Sequence, residues 1–302
     1  MNASGDTDAL LSIKDFVRWG ASEFARCGLV FGHGTDNPLD ESLQLVLHAL
    51  HLRHDLPPAY ADARLTGSER TAVLDLLDRR IETRQPAPYL IGEAQFCGLP
   101  FFVDERVLIP RSPIAELIEA GFEPWISVPP ARVLDLCTGS ACIAIAAAFA
   151  LPQAQVDAAD IDAGALKVAR SNIRRHGMDG RVRAVKSDLF DKLGRRPYDL
   201  IVSNPPYVPT AEWQALAREY QHEPRLALNG GDDGMELVER ILNDSPRHLS
   251  EGGTLICEIG GSRAEFEARF VDLPAYWPEF ERGGDGVFVI GREELVDWLE
   301  RR

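Results

Sequence analysis

Ala131-Arg132-Val133-Leu134-Asp135-Leu136-Cys137-Thr138-Gly139-Ser140-Ala141-Cys142-Ile143-Ala144-Ile145-Ala146 is the stretch that decides the fold. Residues 131–136 are a short apolar run and read as a buried strand. Cys137-Thr138-Gly139-Ser140 is a turn of small residues. Residues 141–150 are almost wholly apolar, the pattern of a helix buried on every side. A strand, a tight small-residue turn and a helix make the first unit of a doubly wound α/β sheet.

The same alternation continues downstream. Residues 155–159 read as a strand ending at Asp160, and 163–176 as a helix. Residues 182–185 read as a strand running into Ser187-Asp188-Leu189, and 198–202 as a strand introduced by Pro197. A helix over 234–249, a strand over 254–259, a helix over 262–270 and a strand over 287–290 follow. Gly283-Gly284-Asp285-Gly286 has the composition of a tight hairpin turn.

Parallel strands bind ligands beyond their carboxyl ends, at the point where strand order reverses. The residues at those ends are the turn 137–141, Asp160, Asp188 and Asn204, so one site gathers all four. Gly139 lets backbone approach a ligand closely. Asp160 follows Gly139 by 21 residues, matching the offset of about 20 for an acid that takes ribose hydroxyls. A lone acid after a strand is more often a helix cap, so the joint arrangement carries the weight. Asp188 can accept from an adenine amine, and Leu189 can cover the ring. The turn is not G-x-G-x-x-G, because Gly stands only at 139 among positions 137–141. A nicotinamide dinucleotide is correspondingly disfavoured.

Asn204-Pro205-Pro206-Tyr207 closes the strand at 198–202. Two prolines fix φ and remove two backbone donors. The carbonyls of Asn204 and Pro205 then lack competing N–H neighbours. An amide side chain, bare carbonyls and an aromatic face together suit a planar –NH2 group. An Asn-Pro pair alone more often just ends a strand.

Upstream, residues 8–28 place Leu11, Phe16, Val17, Trp19 and Phe24 at a loose helical period. Asp36-Asn37-Pro38 opens 39–52, with Leu43, Leu47 and Leu50 on one face. Thr66-Gly67-Ser68-Glu69 is a capping box launching 70–84, with Val73, Leu74, Leu77 and Ile81 aligned. Three or four amphipathic helices make a small bundle. His33, His48, His51 and His54 lack acidic or cysteine partners at ligand spacing and read as helix-surface residues rather than metal ligands. Gln85-Pro86-Ala87-Pro88 marks a boundary, and the apolar runs around Gly98 within 89–104 read as a hairpin. Arg111, framed by Pro110 and Pro113 ahead of a helix over 114–122, is either a lid over a ligand or a surface residue of the helix lead-in. His222 and Arg225 either meet a substrate or sit in a capped loop. Glu258, ending a strand at the carboxyl edge, faces the pocket or stands behind it.

The 302 residues are 45% hydrophobic and 26% charged, an ordinary globular balance. Net charge is −15. Such a surface repels phosphate backbones unless a basic patch is segregated, and no dense Lys/Arg block stands in the sequence. Five cysteines without a C-x-x-C pair point to a reducing compartment. Met1–Asp6 has no basic or apolar leader pattern, and no apolar run reaches membrane-spanning length. A cytoplasmic protein is expected.

With these residues in place, the chain resembles class I S-adenosylmethionine-dependent methyltransferases that modify planar amides or amines. Residues 133–140 and Asn204-Pro205-Pro206-Tyr207 carry the likeness. Within that class it is similar to the HemK family of protein-glutamine N5-methyltransferases, through Ile109-Pro110-Arg111 as well. Asp36-Asn37-Pro38, Cys137–Ser140 with 142–146, Glu219-Tyr220, His222-Glu223-Pro224 and 283–288 are similar to the branch acting on a large-subunit ribosomal protein. The likeness runs over about residues 36–290. Release-factor methyltransferases of the family usually carry Gly where Cys137 stands. The family also normally has Gly at the position of Ala141. Ala is harmless there in helical dihedrals and strained at positive φ; helical dihedrals are expected, since the apolar helix begins there.

The resemblance implies a Rossmann-like, mostly parallel, seven-stranded sheet. It implies a helical substrate-recognition domain (1–86), a hairpin linker (87–112) and a methyltransferase domain (113–302). S-adenosylmethionine would be the methyl donor and S-adenosylhomocysteine the product. Its implied contacts are Pro110, Arg111, Asp135, Cys137, Thr138, Gly139, Ser140, Ala141, Asp160, Ile161, Ser187, Asp188, Leu189 and Asn204. Asn204, Pro205, Pro206 and Tyr207 would be catalytic, with no metal. The implied partner is a basic ribosomal protein of the large subunit, with no direct DNA binding and no membrane. The alternatives are glutamine methylation of a release factor, adenine-N6 methylation of nucleic acid, and a non-catalytic chaperone for a ribosomal protein.

Overall fold

The computed structural model describes residues 7–126 and 128–302. Residues 1–6, on which the leader reading rests, lie outside the described residues. The chain divides into two compact units, Met1–Glu93 with Ala217–His222, and Ala94–Leu216 with Glu223–Arg302.

The first unit is helical: α1 (Ile13–Arg26), α2 (Pro38–Ala49), α3 (Gly67–Thr83) and α4 (Ala87–Ile91). Asn37 accepts from the N–H groups of Leu39 and Asp40, and Pro38 takes the first helical position, where its missing N–H costs nothing. The Thr66 N–H donates to Glu69 Oε2 at 2.7 Å, and the Glu69 N–H to Thr66 Oγ1 at 3.4 Å. Phe16, Phe24, Leu45, Val73 and Leu77 fill the core. A buried ion pair lies among them: Arg80 Nε donates to Glu41 Oε1 at 2.8 Å. Glu219 ties 217–222 to these helices, standing 3.8 Å from Arg80 and 3.3 Å from Arg84. Among the described residues, no cluster of His, Cys, Asp or Glu is arranged to hold a metal ion, and no helix is long and apolar enough to cross a membrane.

The second unit opens with a hairpin, β1 (Glu93–Phe96) and β2 (Leu99–Phe102), followed by α5 (Ile114–Glu119). Then come β3 (Arg132–Leu136), α6 (Cys142–Ala150), β4 (Gln155–Asp160), α7 (Ala163–Arg175), β5 (Val182–Lys186) and β6 (Tyr198–Ser203). After the short helices α8 (Thr210–Ala215) and α9 (Arg225–Leu228) come α10 (Glu236–Asp244), β7 (Leu249–Glu258), α11 (Arg263–Arg269), β8 (Val287–Gly291) and α12 (Arg292–Arg301). Six strands form one sheet in the order β5-β4-β3-β6-β7-β8. β7 and β8 pair antiparallel and the other neighbours parallel. Strand order reverses between β3 and β6. Successive residues alternate between two cores, Leu200 and Val202 on one face and Ile201 on the other, as in a sheet covered on both sides.

Four expectations are corrected. The sheet has six strands among the described residues, not seven. Beyond β8, among the described residues, a single antiparallel bridge forms, Tyr276 with Val289; the segment around it carries Pro274, Pro278, Gly283 and Gly284, which weaken a strand. The helix expected over 234–249 is α10 plus a short 3-10 turn, Ser245–Arg247, because Gly234 sits at φ 77° and Pro246 lacks a helical N–H. Residues 283–286 are not a tight hairpin turn but part of the long connection between Tyr276 and β8. Gly286 is required there: at φ +67° its Cβ would lie 1.7 Å from the Gly260 carbonyl oxygen. Ala141 is left-handed, at φ 64° and ψ 26°, as described next.

Candidate active site

The turn from β3 into α6 takes five residues, and it fits by alternating handedness. Cys137, Gly139 and Ala141 have φ of 60°, 53° and 64°, so the backbone visits the left-handed region at every second residue. Such alternation turns successive N–H groups toward one side. Only one of the three positions is glycine, which is why the pattern is hidden in the sequence.

The turn is held from beneath. Asp135, 1% exposed, accepts from the Thr138 hydroxyl and from the Ala144 N–H at 3.0 Å. Burial pushes its carboxyl up to about 7. Asn172 on α7 donates to the carbonyls of Ser140 and Phe102 and accepts from the Phe102 N–H. It joins turn, helix and hairpin, and no sequence pattern singled it out.

A cavity of 480 Å³ opens beyond the carboxyl ends of β3, β4 and β6. Cys137, Gly139, Asp160, Ile161, Ser187, Asp188, Leu189 and Asn204 line it, together with Pro206. Asp160 Oδ2 accepts from the Gly139 N–H at 2.9 Å, and Oδ1 from the Asp162 N–H at 2.9 Å. Burial raises its carboxyl above the ordinary value. Each oxygen accepts one of these bonds and keeps further acceptor capacity. Asp188 is held by Arg240, whose Nη2 donates to Oδ1 at 2.8 Å; Arg240 was not foreseen. The segment 105–108 and Leu226 close the other side.

A second cavity, of 220 Å³, is lined by Arg111, Ser112, Asn204, Pro205, Tyr207 and Glu258, among others. Glu258, 4% exposed, faces this space. It accepts from the Ser112 hydroxyl and from the Tyr207 hydroxyl, the latter at 3.1 Å, and the nearby Asn204 side chain favours its charged form. Burial pushes Glu258 up to about 7 and holds the Tyr207 phenol well above its ordinary range. Arg111 grips Glu223 with two bonds, at 2.7 and 2.6 Å, and Glu223 also accepts from the Ile109 N–H at 2.9 Å. That straps 109–112 in place. Asn204 is the residue common to both cavities together with Leu108 and Ala227.

Of the expected cofactor contacts, eight therefore line the larger cavity. Pro110, Arg111, Asp135, Thr138, Ser140 and Ala141 do not. Asp135 is buried beneath the turn, Thr138, Ser140 and Ala141 are buried members of it, Pro110 is buried, and Arg111 borders the smaller cavity. His222 lines neither cavity; its Nε2 meets the Thr83 carbonyl at 2.9 Å. The Arg225 guanidinium lies 4.8 Å from the centre of the Trp213 ring.

A family model described as the methyltransferase small domain matches residues 125–231. Together with a site at the switch point of a doubly wound sheet, this defines a methyltransferase of class I architecture. A relative from Xanthomonas campestris pv. campestris, named ribosomal protein uL3 glutamine methyltransferase, is 52% identical over 290 residues, covering 96% of this chain and 94% of its own. One of the same name from Xylella fastidiosa (strain 9a5c) is 51% identical over 290 residues, covering 96% and 93%. The chain belongs to the family of ribosomal protein uL3 glutamine methyltransferases. A solved methyltransferase from Pyrococcus furiosus is similar at 20% identity and a TM-score of 0.48, over 65% of this chain and 89% of that one.

Proposed function

We propose that this chain transfers a methyl group from S-adenosylmethionine to the side-chain amide nitrogen of a glutamine in ribosomal protein uL3. The observation that carries it is Asn204 lining two adjoining cavities, one suited to a nucleoside and one to a planar amide.

The larger cavity fits the methyl donor in size, within the roughly 300–1,000 Å³ of ligand sites, and in chemistry. Asp160 takes ribose hydroxyls, Ile161 and Leu189 sandwich a purine, and the turn around Gly139 receives the amino-acid end. No Cβ would obstruct that approach at Gly139, which has open space before it. Bound there, the donor supplies an electrophilic sulfonium methyl.

An amide nitrogen is a poor nucleophile because its lone pair is delocalised. Positioning and exclusion of water are therefore the main contributions. Glu258 as a carboxylate only accepts hydrogen bonds, so the Asn204 amide turns its NH2 toward Glu258 and its Oδ1 toward the acceptor. Asn204 Oδ1 and the Pro205 carbonyl then hold the two N–H groups of the glutamine. Tyr207 and Pro206 wall its plane. Glu258 is occupied by its own donors and serves as an anchor, not a base; the proton leaves to solvent after transfer. The helical unit selects the acceptor protein, and the reaction belongs in the cytoplasm, where that protein is made.

Mass spectrometry of uL3 after mixing with enzyme and methyl-labelled donor tests this. One methyl on one glutamine is expected. Asn204→Ala is expected to bind the donor normally yet to lose about two orders of magnitude in turnover, the scale of a lost polar transition-state contact. Unmodified uL3, or a normal rate in the variant, would overturn it.

A further inference from the structure

At the opposite end of the sheet from the active site, a cleft of 950 Å³ runs along the amino ends of β3, β4 and β5. Seven arginines and two aspartates line it, in a chain whose net charge is −15. The arginines come from four separate segments: the start of β3, α7, the approach to β5 with β5 itself, and the loop before β6. No sequence window holds them together.

Three of the seven are committed to the fold. Arg183 donates to Asp157 from Nε and Nη2 at 2.8 and 3.1 Å, and Arg132 Nη2 donates to the same carboxylate at 3.2 Å. Arg181 donates to the carbonyls of Ala148, Leu151 and Pro152. The other four, Arg170, Arg174, Arg195 and Arg196, are exposed, and among the described residues no carboxylate pairs with them. Arg170 and Arg174 stand one helical turn apart on α7, a spacing at which like charges repel. Asp157 is shared by two guanidinium groups, so it neutralises only one of them.

We propose that this cleft binds the phosphate backbone of RNA. Forked guanidinium groups match phosphate oxygens in pairs, and four unpaired ones on two walls of a cleft span more than one phosphate. The choice of RNA over an acidic peptide rests on the reading of the acceptor as a ribosomal protein, which works bound to RNA. The cleft is the segregated basic patch without which so acidic a surface would repel a nucleic acid. The enzyme then engages its acceptor next to RNA, with the helical and catalytic parts left for the protein.

Fluorescence anisotropy with a labelled RNA hairpin, across a salt series, tests this without donor or acceptor, so it can fail while methyl transfer stands. Four phosphate contacts predict a slope of log affinity on log salt of about −3 to −4. Replacing Arg170, Arg174, Arg195 and Arg196 together by Gln is expected to weaken binding at least about tenfold and flatten the slope. Replacing the same four by Lys should keep the slope. Methyl transfer to free uL3 by the Gln variant should be unchanged, which also shows that it folds. Polyglutamate and anionic phosphatidylglycerol vesicles should not displace the hairpin. Equal affinity in wild type and Gln variant, a flat wild-type slope, or displacement by polyglutamate as efficient as by unlabelled RNA would each overturn the proposal.

Discussion

Asn204, just past the end of β6, stands beside Glu258, the last residue of the neighbouring strand β7, and favours its charged form. The two strands pair in register, Ser203 beside Cys257, so the closeness of the two residues is set by the sheet itself. Burial pushes Glu258 up to about 7. Above that pH it is charged and, in the proposed arrangement, accepts from the Asn204 NH2. Below it the bound proton makes Glu258 a donor, and the Asn204 amide loses its orientation. The turnover number is therefore expected to fall as pH drops through about 7. In Glu258→Gln that inflection should vanish and the maximal rate should fall roughly tenfold or more, a partial loss of the polar arrangement. Initial rates across the neutral range check this; an unchanged inflection in the variant would assign it to another group.

Tyr207 is packed by glycines that leave no room for a Cβ. One added at Gly260 would lie 2.6 Å from the Tyr207 ring, and one at Gly234 would lie 2.1 Å from the Tyr207 carbonyl oxygen. Gly260 also sits at φ +53°, a conformation that favours glycine. Gly260→Ala should push the ring from the wall of the smaller cavity. The larger cavity has no contribution from Tyr207 or Gly260. The expected result is a turnover number lower by roughly tenfold or more, the cost of a displaced positioning group, with donor affinity nearly unchanged. Isothermal titration with donor alone and steady-state rates separate the two; a parallel loss of both would mean that the substitution disturbs the whole sheet edge.

The strands and their order of appearance were legible because five of the six carry buried apolar runs, while β5 shows only a short alternation with Val182 buried. The six runs read from the residues are the six strands observed; the seventh came only from the resemblance. Asp160, Asp188 and Asn204 were legible as strand ends, and the topology brought them to one place. Ala141 was not. Its place at the head of an apolar run suggested helical dihedrals, but the five-residue turn needs a third left-handed residue, and tertiary packing imposes it on alanine. Glu258 was visible only as a strand-end acid; its role depends on β6 and β7 being neighbours. The basic cleft was invisible for the same reason, since its arginines meet only after the chain folds.

Arg80 shows how a buried charge in the helical unit can be tested. Its side chain and that of Glu41 are 0% and 1% exposed, and its Nη2 also donates to the Val30 carbonyl at 3.1 Å. Removing one partner of such a pair strands the other in a site that water does not reach. Arg80→Met is expected to lower the unfolding free energy by about 3 kcal/mol or more. Replacing Glu41 by Gln as well should recover part of that loss, because the bare Glu41 charge is gone and Glu219 keeps its pairing with Arg84. The sign with pH follows from Glu41, which burial already raises above its ordinary value. Without Arg80 it rises further, so the folded state binds a proton that the unfolded chain releases. The single variant should therefore be most stable below the ordinary carboxylate pKa and lose stability as pH climbs through the raised value. Urea denaturation of the wild type, Arg80→Met and Arg80→Met/Glu41→Gln at acidic and neutral pH checks both statements. A single variant equally stable at the two pH values would mean that Glu41 finds water or another donor when Arg80 is gone.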